Sequence, residues 1–459
     1  MSSKNQMDMR NGPIWNKLPQ FALPVAATAI LEQLFNASDV AIVGNFASGN
    51  RTAAVAAVGA NSPIIGLILN LFIGIALGTN VVIAHAIGQN DRDSVRKTVH
   101  TSVLVSLIGG VIVALLGECI ASPLLGLLNV PEDVFPLALL YLRIYFIGMP
   151  VILLYNFEAA ILRSIGETKI PLMALATSGV LNVLLNVFFV VVLHMTVNGV
   201  AIATVLSNAV SSLLLLRYLM RTDTAVRVDR QALRFDMGSF ARVLKIGLPA
   251  GIQSAVFAFA NIIIQAAINS LGTTVMAASS AAFNIEIMAY YMLNSFSQAC
   301  TTFVGQNYGA GKLDRCKRTL VLCLVEDIIA TGVFVAIVLV AGHQLLALFN
   351  TDPEVIRLGY QRLIIVYAAY IFSMLYDIMS GYLRGFGISL SPAILTMLGV
   401  CGTRILWVQF VFPRHMDFRS LMMVYPVSLS ITAALILIAL IVHHPATRLA
   451  KTREKETVL

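Results

Sequence analysis

The sequence predicts an all-α integral membrane protein of twelve transmembrane helices, arranged as two six-helix lobes related by a parallel pseudo-two-fold repeat. Three observations carry this prediction. The 459 residues are 58% hydrophobic and only 12% charged, with a mean hydropathy of +0.84, whereas soluble proteins carry about 25% charged residues. The apolar residues gather into twelve runs long enough to cross a bilayer, and short motifs of the first half recur in the second at one fixed separation. This composition excludes a soluble enzyme, a disordered chain and a free nucleic-acid binder, and it makes the lipid bilayer the main partner.

A span of about 20 residues with its loop takes roughly 35 to 40, which leaves no room for a soluble domain. The runs cover 17–46, 54–86, 98–126, 135–162, 170–194, 197–220, 240–270, 276–306, 319–347, 355–384, 391–412 and 420–444. Basic residues orient them, because Lys and Arg near span ends stay on the cytoplasmic side. Of the 31 Lys and Arg, 24 fall on the face shared by the N-terminus, the 2–3, 4–5, 6–7 and 8–9 loops, Arg384 and the tail. A multi-pass protein of the cell membrane with both termini cytoplasmic is expected. The organisation is then an N-terminal segment 1–16, a lobe 17–220, a linker 221–239, a second lobe 240–444 and a tail 445–459. The polar N-terminus has no apolar core, so no cleaved signal peptide is expected.

The repeat is read from matched motifs. Loop 2–3 reads IGQNDRDSVRKT and loop 8–9 reads YGAGKLDRCKRT, placing Gly88, Asp93 and Thr98 over Gly309, Asp314 and Thr319, 221 residues apart. Asn129 falls over Asn350, and Arg163, Gly166 and Pro171 over Arg384, Gly387 and Pro392 at the same separation. Six helices per half gives both halves one orientation, a transporter architecture with the substrate between lobes and alternating access.

These segments resemble a known family. Two six-helix halves, SDVAIVGNFAS on span 1, the two cytoplasmic loops and AILRSIGETKIP after span 4 are similar to the multidrug and toxic compound extrusion (MATE) transporters, from about Trp15 to Val442. Within that family the chain looks closer to the bacterial branch of DNA-damage-inducible and staphylococcal-type exporters than to the norfloxacin-type branch. The acidic residue that the latter carries on span 7 is Phe257 here, and its span 10 acidic residue would fall near Ser373, whereas this chain has Asp377. The resemblance implies secondary active export of amphiphilic or cationic small molecules in antiport with H⁺ or Na⁺, by a monomer. It also implies that Asp39 matches the coupling carboxylate of span 1. An alternative from the same superfamily is a flippase for a lipid-linked precursor; the acidic candidates Glu32, Asp39, Glu158, Glu286 and Asp377 favour cationic cargo instead.

Ionisable groups inside spans are costly and face a cavity or a partner. Glu32, Asn36 and Asp39 share one face of span 1 at i, i+4 and i+7. A carboxylate there can hold H⁺ or Na⁺, or pair with a cationic drug, but not all at once. Asn186 on span 5 stands where some relatives carry a second acid; it hydrogen-bonds but does not titrate. Span 7 repeats the stripe with amides at Gln253 and Asn261. Glu286, Tyr290, Asn294 and Asp377 complete a candidate substrate cavity, aromatic faces being suited to large cations. Asp377 with Arg404, and Glu158 with Arg143, are read as possible structural pairs. Pro24 removes a backbone hydrogen bond within span 1 and is a candidate hinge.

Five scattered cysteines form neither a CxxC pair nor a cluster with His, so no disulfide framework and no metal site are expected. GQNYGAGKLD lacks the first glycine, the Ser or Thr and the preceding strand of a phosphate loop, and no cofactor is expected. No HExxH, GxSxG or paired-Asp set is present, so the chain is not expected to be an enzyme.

Overall fold

Every regular element among the described residues is helical, as lipid demands of a chain whose backbone polar groups must be satisfied within each segment. The computed structural model describes residues 7–128 and 130–447. Asn129 of the repeat, the first six residues and most of the expected tail lie outside them.

In chain order the helices are α1 (Lys17–Phe46), α2 (Arg51–Gly88), α3 (Arg92–Leu127), α4 (Phe135–Ser164), α5 (Lys169–Val192), α6 (Val197–Arg221), α7 (Met237–Asn269), α8 (Thr273–Gly309) and α9 (Leu313–Val340). Then follow α10, in two pieces (Pro353–Ala368 and Tyr370–Gly385), α11 (Leu390–Arg414) and α12 (Phe418–Thr447). Ten are long and apolar enough to cross a membrane, and the two pieces of α10 make an eleventh, bent by 46° at Ala369. The twelfth is α8, which at 37 residues has ample length but a more polar sequence.

The bend in α10 departs from the single helix 355–384 expected from hydropathy, and no proline marks it. Tyr367 and Tyr370 flank the break and donate their hydroxyls to the carbonyls of Ile285 (3.4 Å) and Glu286 (3.2 Å) on α8. Two helices contain wide turns that hydropathy also does not show. Helix α5 continues as π-helix over Val187–Val192, and α11 has π turns at Met397–Gly402 and Trp407–Val411.

Caps set the helix ends. Asn50, Asp91, Asp352 and Asp417 each accept a backbone N–H of the first turn of α2, α3, α10 and α12, groups that no helix satisfies internally. The repeat is visible in the turns. After α4, Gly166 has φ +82° and Glu167 N–H bonds Leu162 O at 3.0 Å; after α10, Gly387 has φ +81° and Ile388 N–H bonds Leu383 O at 3.0 Å. Glycine fills both places because a side chain is disfavoured in the left-handed region.

By packing, the described chain divides into a unit of Ala27–Gly247 and a unit that joins Asp8–Ala26 to the chain from Leu248 onward. The partition 17–220, 221–239 and 240–444 places these boundaries differently, for identifiable reasons. In the first unit the linker is bound to α3: Asp229 N–H bonds His100 Nε2 at 3.2 Å, and Asp236 N–H bonds Thr101 Oγ1 at 3.0 Å. Val226 and Val228 are buried beside Leu215 and Leu219. The first turns of α7 lie on α2, where a Cβ on Gly78 would stand 2.3 Å from Val243 O and 2.8 Å from Gly247 N. Gly78→Ala is therefore expected to push these helices apart and to cost about 1–3 kcal/mol, as overpacking does. Thermal unfolding in detergent checks it.

In the second unit, residues 8–12 lie against the α8–α9 turn. Asn307 and Arg315 donate to Met9 O (3.1 and 3.2 Å), Arg315 donates to Gly12 O (3.0 Å), and Lys312 donates to Arg10 O (2.8 Å). The same unit packs α8 closely against α10, with Thr301 Oγ1 donating to Gly381 O at 3.0 Å.

Candidate functional site

The strongest constellation lies in the first unit, where α1, α5 and α6 converge on one carboxylate. Asp39 is only 5% exposed. Its Oδ1 accepts from Asn186 Nδ2 at 2.5 Å and its Oδ2 accepts from Thr204 Oγ1 at 3.0 Å. Asn186 also donates to Asn182 Oδ1 at 3.1 Å, and its own Oδ1 is buried with no hydrogen-bond partner. Asn182 and Asn186 lie one turn apart on α5, so they present both amides to α1. Asn186 is the last α-helical residue before the π-helical segment, a distortion that recurs at functional positions. Close approach of α1 is permitted by Gly179, where a Cβ would fall within 2.0 Å of the Phe35 ring.

The other two members of the predicted stripe are placed differently. Glu32 and Asn36 are exposed, and Arg163 on α4 acts on Glu32 electrostatically. Pro24 lies inside α1, which continues through it as a helix, two residues before the boundary between the packing units.

Glu158 is fully buried on α4 and accepts from Ser212 Oγ at 3.1 Å, while its Oε1 has no partner. The suggested pairing with Arg143 is not found. The two residues lie fifteen positions apart on one helix, about 22 Å at 1.5 Å per residue, and Arg143 pairs with Glu118 at 3.5 Å.

In the second unit a cavity of about 80 Å³ is lined by Asn261, Glu286 and Tyr290, three of the predicted cavity residues, together with Arg404. Gln253, Asn294 and Asp377 do not line it. Asn294 and Asp377 instead bond each other at 3.3 Å, and Asp377 is paired with Arg384 at 3.5 Å, two turns on along α10. The suggested Asp377–Arg404 pair is thereby corrected: Arg404 donates to Asn261 Oδ1 at 2.7 Å. Glu286 is not a free acid either. Its Oε2 accepts from both Nε and Nη2 of Arg362 at 3.0 Å, and Arg362 further donates to Ser279 Oγ at 2.6 Å.

Two acids on α9 were missed by sequence reasoning. Asp327 is fully buried, accepting from Thr331 at 2.7 Å with its other oxygen unpartnered, and Glu326 beside it also has a buried, unpartnered oxygen. The signal was available as an adjacent acidic pair, LVEDII, in the middle of an apolar run. Among the described residues no group of three or more His, Cys, Asp or Glu could hold a metal ion.

The family model described as MatE matches residues 24–188 and 249–408, once in each half. The chain is 26% identical over 432 residues to "Probable multidrug resistance protein YoeA" of Bacillus subtilis, covering 92% of each. It is 22% identical to multidrug export protein MepA of Staphylococcus haemolyticus, covering 87% of each. In fold it matches a solved structure described as the outward-facing conformation of a multidrug resistance MATE family transporter of the MOP superfamily. That match has a TM-score of 0.88 at 19% identity and covers 98% of this chain and all of the other.

Proposed function

The chain belongs to the MatE family, and from that premise we propose that it exports amphiphilic or cationic small molecules across the cell membrane in antiport with H⁺ or Na⁺. It is a multi-pass membrane transporter of the multidrug efflux family; the cargo, the coupling and cytoplasmic termini are the proposal. The observation that supports coupling is the Asp39 site, a nearly inaccessible carboxylate with a donor on each oxygen and an unpartnered amide oxygen next to it.

The residues present suit a site that changes occupant. With Asp39 ionised, Asn186 and Thr204 supply N–H and O–H donors, which stabilise a charge that burial would otherwise penalise. A proton arriving on Asp39 converts one oxygen into a donor, which needs an acceptor. Asn186 supplies one by turning its amide end for end, and the Thr204 oxygen has lone pairs for the other arrangement. Na⁺ would instead take oxygens only, and Asp39, Asn186, Asn182 and Thr204 each carry one. In either case α1 is held differently against α5 and α6, and Pro24, which cannot donate to the carbonyl four residues before it, gives α1 a place to adjust.

The experiment is transport of a fluorescent cationic dye in liposomes containing the purified protein, under an imposed pH gradient or an imposed Na⁺ gradient. Dye movement that follows one gradient and stops when that gradient is collapsed is the expected result, and it names the ion. Movement indifferent to both gradients would overturn the coupling.

A further inference from the structure

We propose that the cavity of the second unit is a binding site for aromatic molecules carrying an anionic group, a carboxylate or sulfonate held by Arg404. This extends the cargo from cations to anions and zwitterions, and it does not rest on coupling at Asp39.

The charge balance of the cavity carries the inference. Its acidic group, Glu286, is occupied by two nitrogens of Arg362. That leaves Arg404, which lines the same cavity, is 2% exposed, and has no carboxylate partner among the described residues. Its Nη1 is bound by the neutral Asn261, and its Nε is buried without any acceptor. A buried guanidinium that cannot lose its proton and is left short of acceptors is unfavourable unless an anion completes it. Arginine is suited to this task because its planar fork matches a carboxylate with two parallel N–H···O bonds.

The surroundings define the rest of the ligand. Phe257 and Tyr425 lie under the guanidinium, at 5.1 and 4.7 Å from its central carbon to the ring centres, and hold it in place as cation–π partners. Phe283, Tyr290, Tyr370 and Tyr376 supply further aromatic wall. At about 80 Å³ the space is smaller than the usual small-molecule site, ~300–1,000 Å³, so a two-ring body enters only as these side chains part. A second, independent feature points to the same place: Arg404 sits on a four-residue α-helical stretch, Thr403–Leu406, between the two π turns of α11. Such wide turns frequently accompany functional sites.

The test compares two probes that share one aromatic body, 2-naphthoate and 2-naphthylmethylammonium, by calorimetric titration of the full-length protein in detergent with no ion gradient. The expected result is that the wild type binds the carboxylate at least about tenfold more tightly than the ammonium, as an unpaired guanidinium dictates. Arg404→Gln should remove that preference and Arg404→Lys should keep its sign. Equal binding of the two probes, preference for the ammonium, or an Arg404→Gln protein that still prefers the carboxylate would each overturn the proposal. The wild-type comparison stands alone if Arg404→Gln does not fold. Because no gradient is present, a negative result leaves gradient-driven dye export untouched, and failure of dye export leaves this binding result untouched.

Discussion

Asp39→Asn is expected to reduce gradient-driven dye export to the level of protein-free liposomes while leaving the protein folded. The substitution keeps volume and shape and removes only the ability to change charge. An amide at position 39 still accepts one hydrogen bond through its oxygen. Its NH₂ then faces either Asn186, which can turn its amide, or Thr204, which can accept. The fold therefore tolerates it, and dye exchange without a net gradient is expected to persist, which separates coupling from binding. Asn186→Leu should act differently. It removes a donor from a buried carboxylate, a hydrogen bond to a charged group worth about 1.5–3 kcal/mol, and so should move the coupling equilibrium by roughly ten- to a hundredfold. Undiminished gradient-driven export by Asp39→Asn would dismiss this carboxylate as the coupling group and turn attention to Glu32 and Glu158.

Arg362→Met carries the largest expected stability effect. Arg362 is the bulkiest fully buried side chain and holds Glu286, Ser279 and Tyr425 together. Removing it strands Glu286 on α8, and breaking one side of a buried pair typically costs about 3–5 kcal/mol. The expected observation is a large fall in thermal unfolding temperature or poor recovery from the membrane. Replacing both partners, Arg362→Met with Glu286→Leu, should recover most of the loss, because no uncompensated charge is left behind. A single variant as stable as the wild type would mean that water reaches Glu286 through the cavity it lines.

Much of this was legible because membrane spans are long and their signals redundant. Each of the twelve expected runs corresponds to a helix whose ends moved by up to seven residues, and the repeat read from Gly166 and Gly387 reappears as two turns with matching positive φ and the same hydrogen bonds. Asp39 stood out from Glu32 on the same polar face because the family resemblance matched it to the coupling carboxylate of span 1. Pairings were less legible. Sequence gives the number of charges in a half but not the direction in which each points, and π turns rotate every residue beyond them away from its expected face. Arg404 lies just beyond such a turn and donates to Asn261, while Asp377 pairs with Arg384. The bend in α10 was invisible for a related reason: it is held by two tyrosine hydroxyls on carbonyls of another helix, with no proline or glycine to announce it.

The polarity of α8 has a consequence for how the protein is made. This helix carries Glu286, Asn294, Gln298, Gln306 and Asn307 and, among the described residues, is the one unbroken span that does not qualify as membrane-crossing on its own composition. A segment of that kind partitions poorly into lipid as an isolated helix, so during synthesis it must wait for helices that satisfy its polar groups. Those are supplied later in the chain, by Arg362 and Asp377 on α10. Biogenesis of the second half is therefore a joint event of α8 to α10, and ribosome stalling or truncation before residue 377 should leave α8 stranded and open to quality-control degradation.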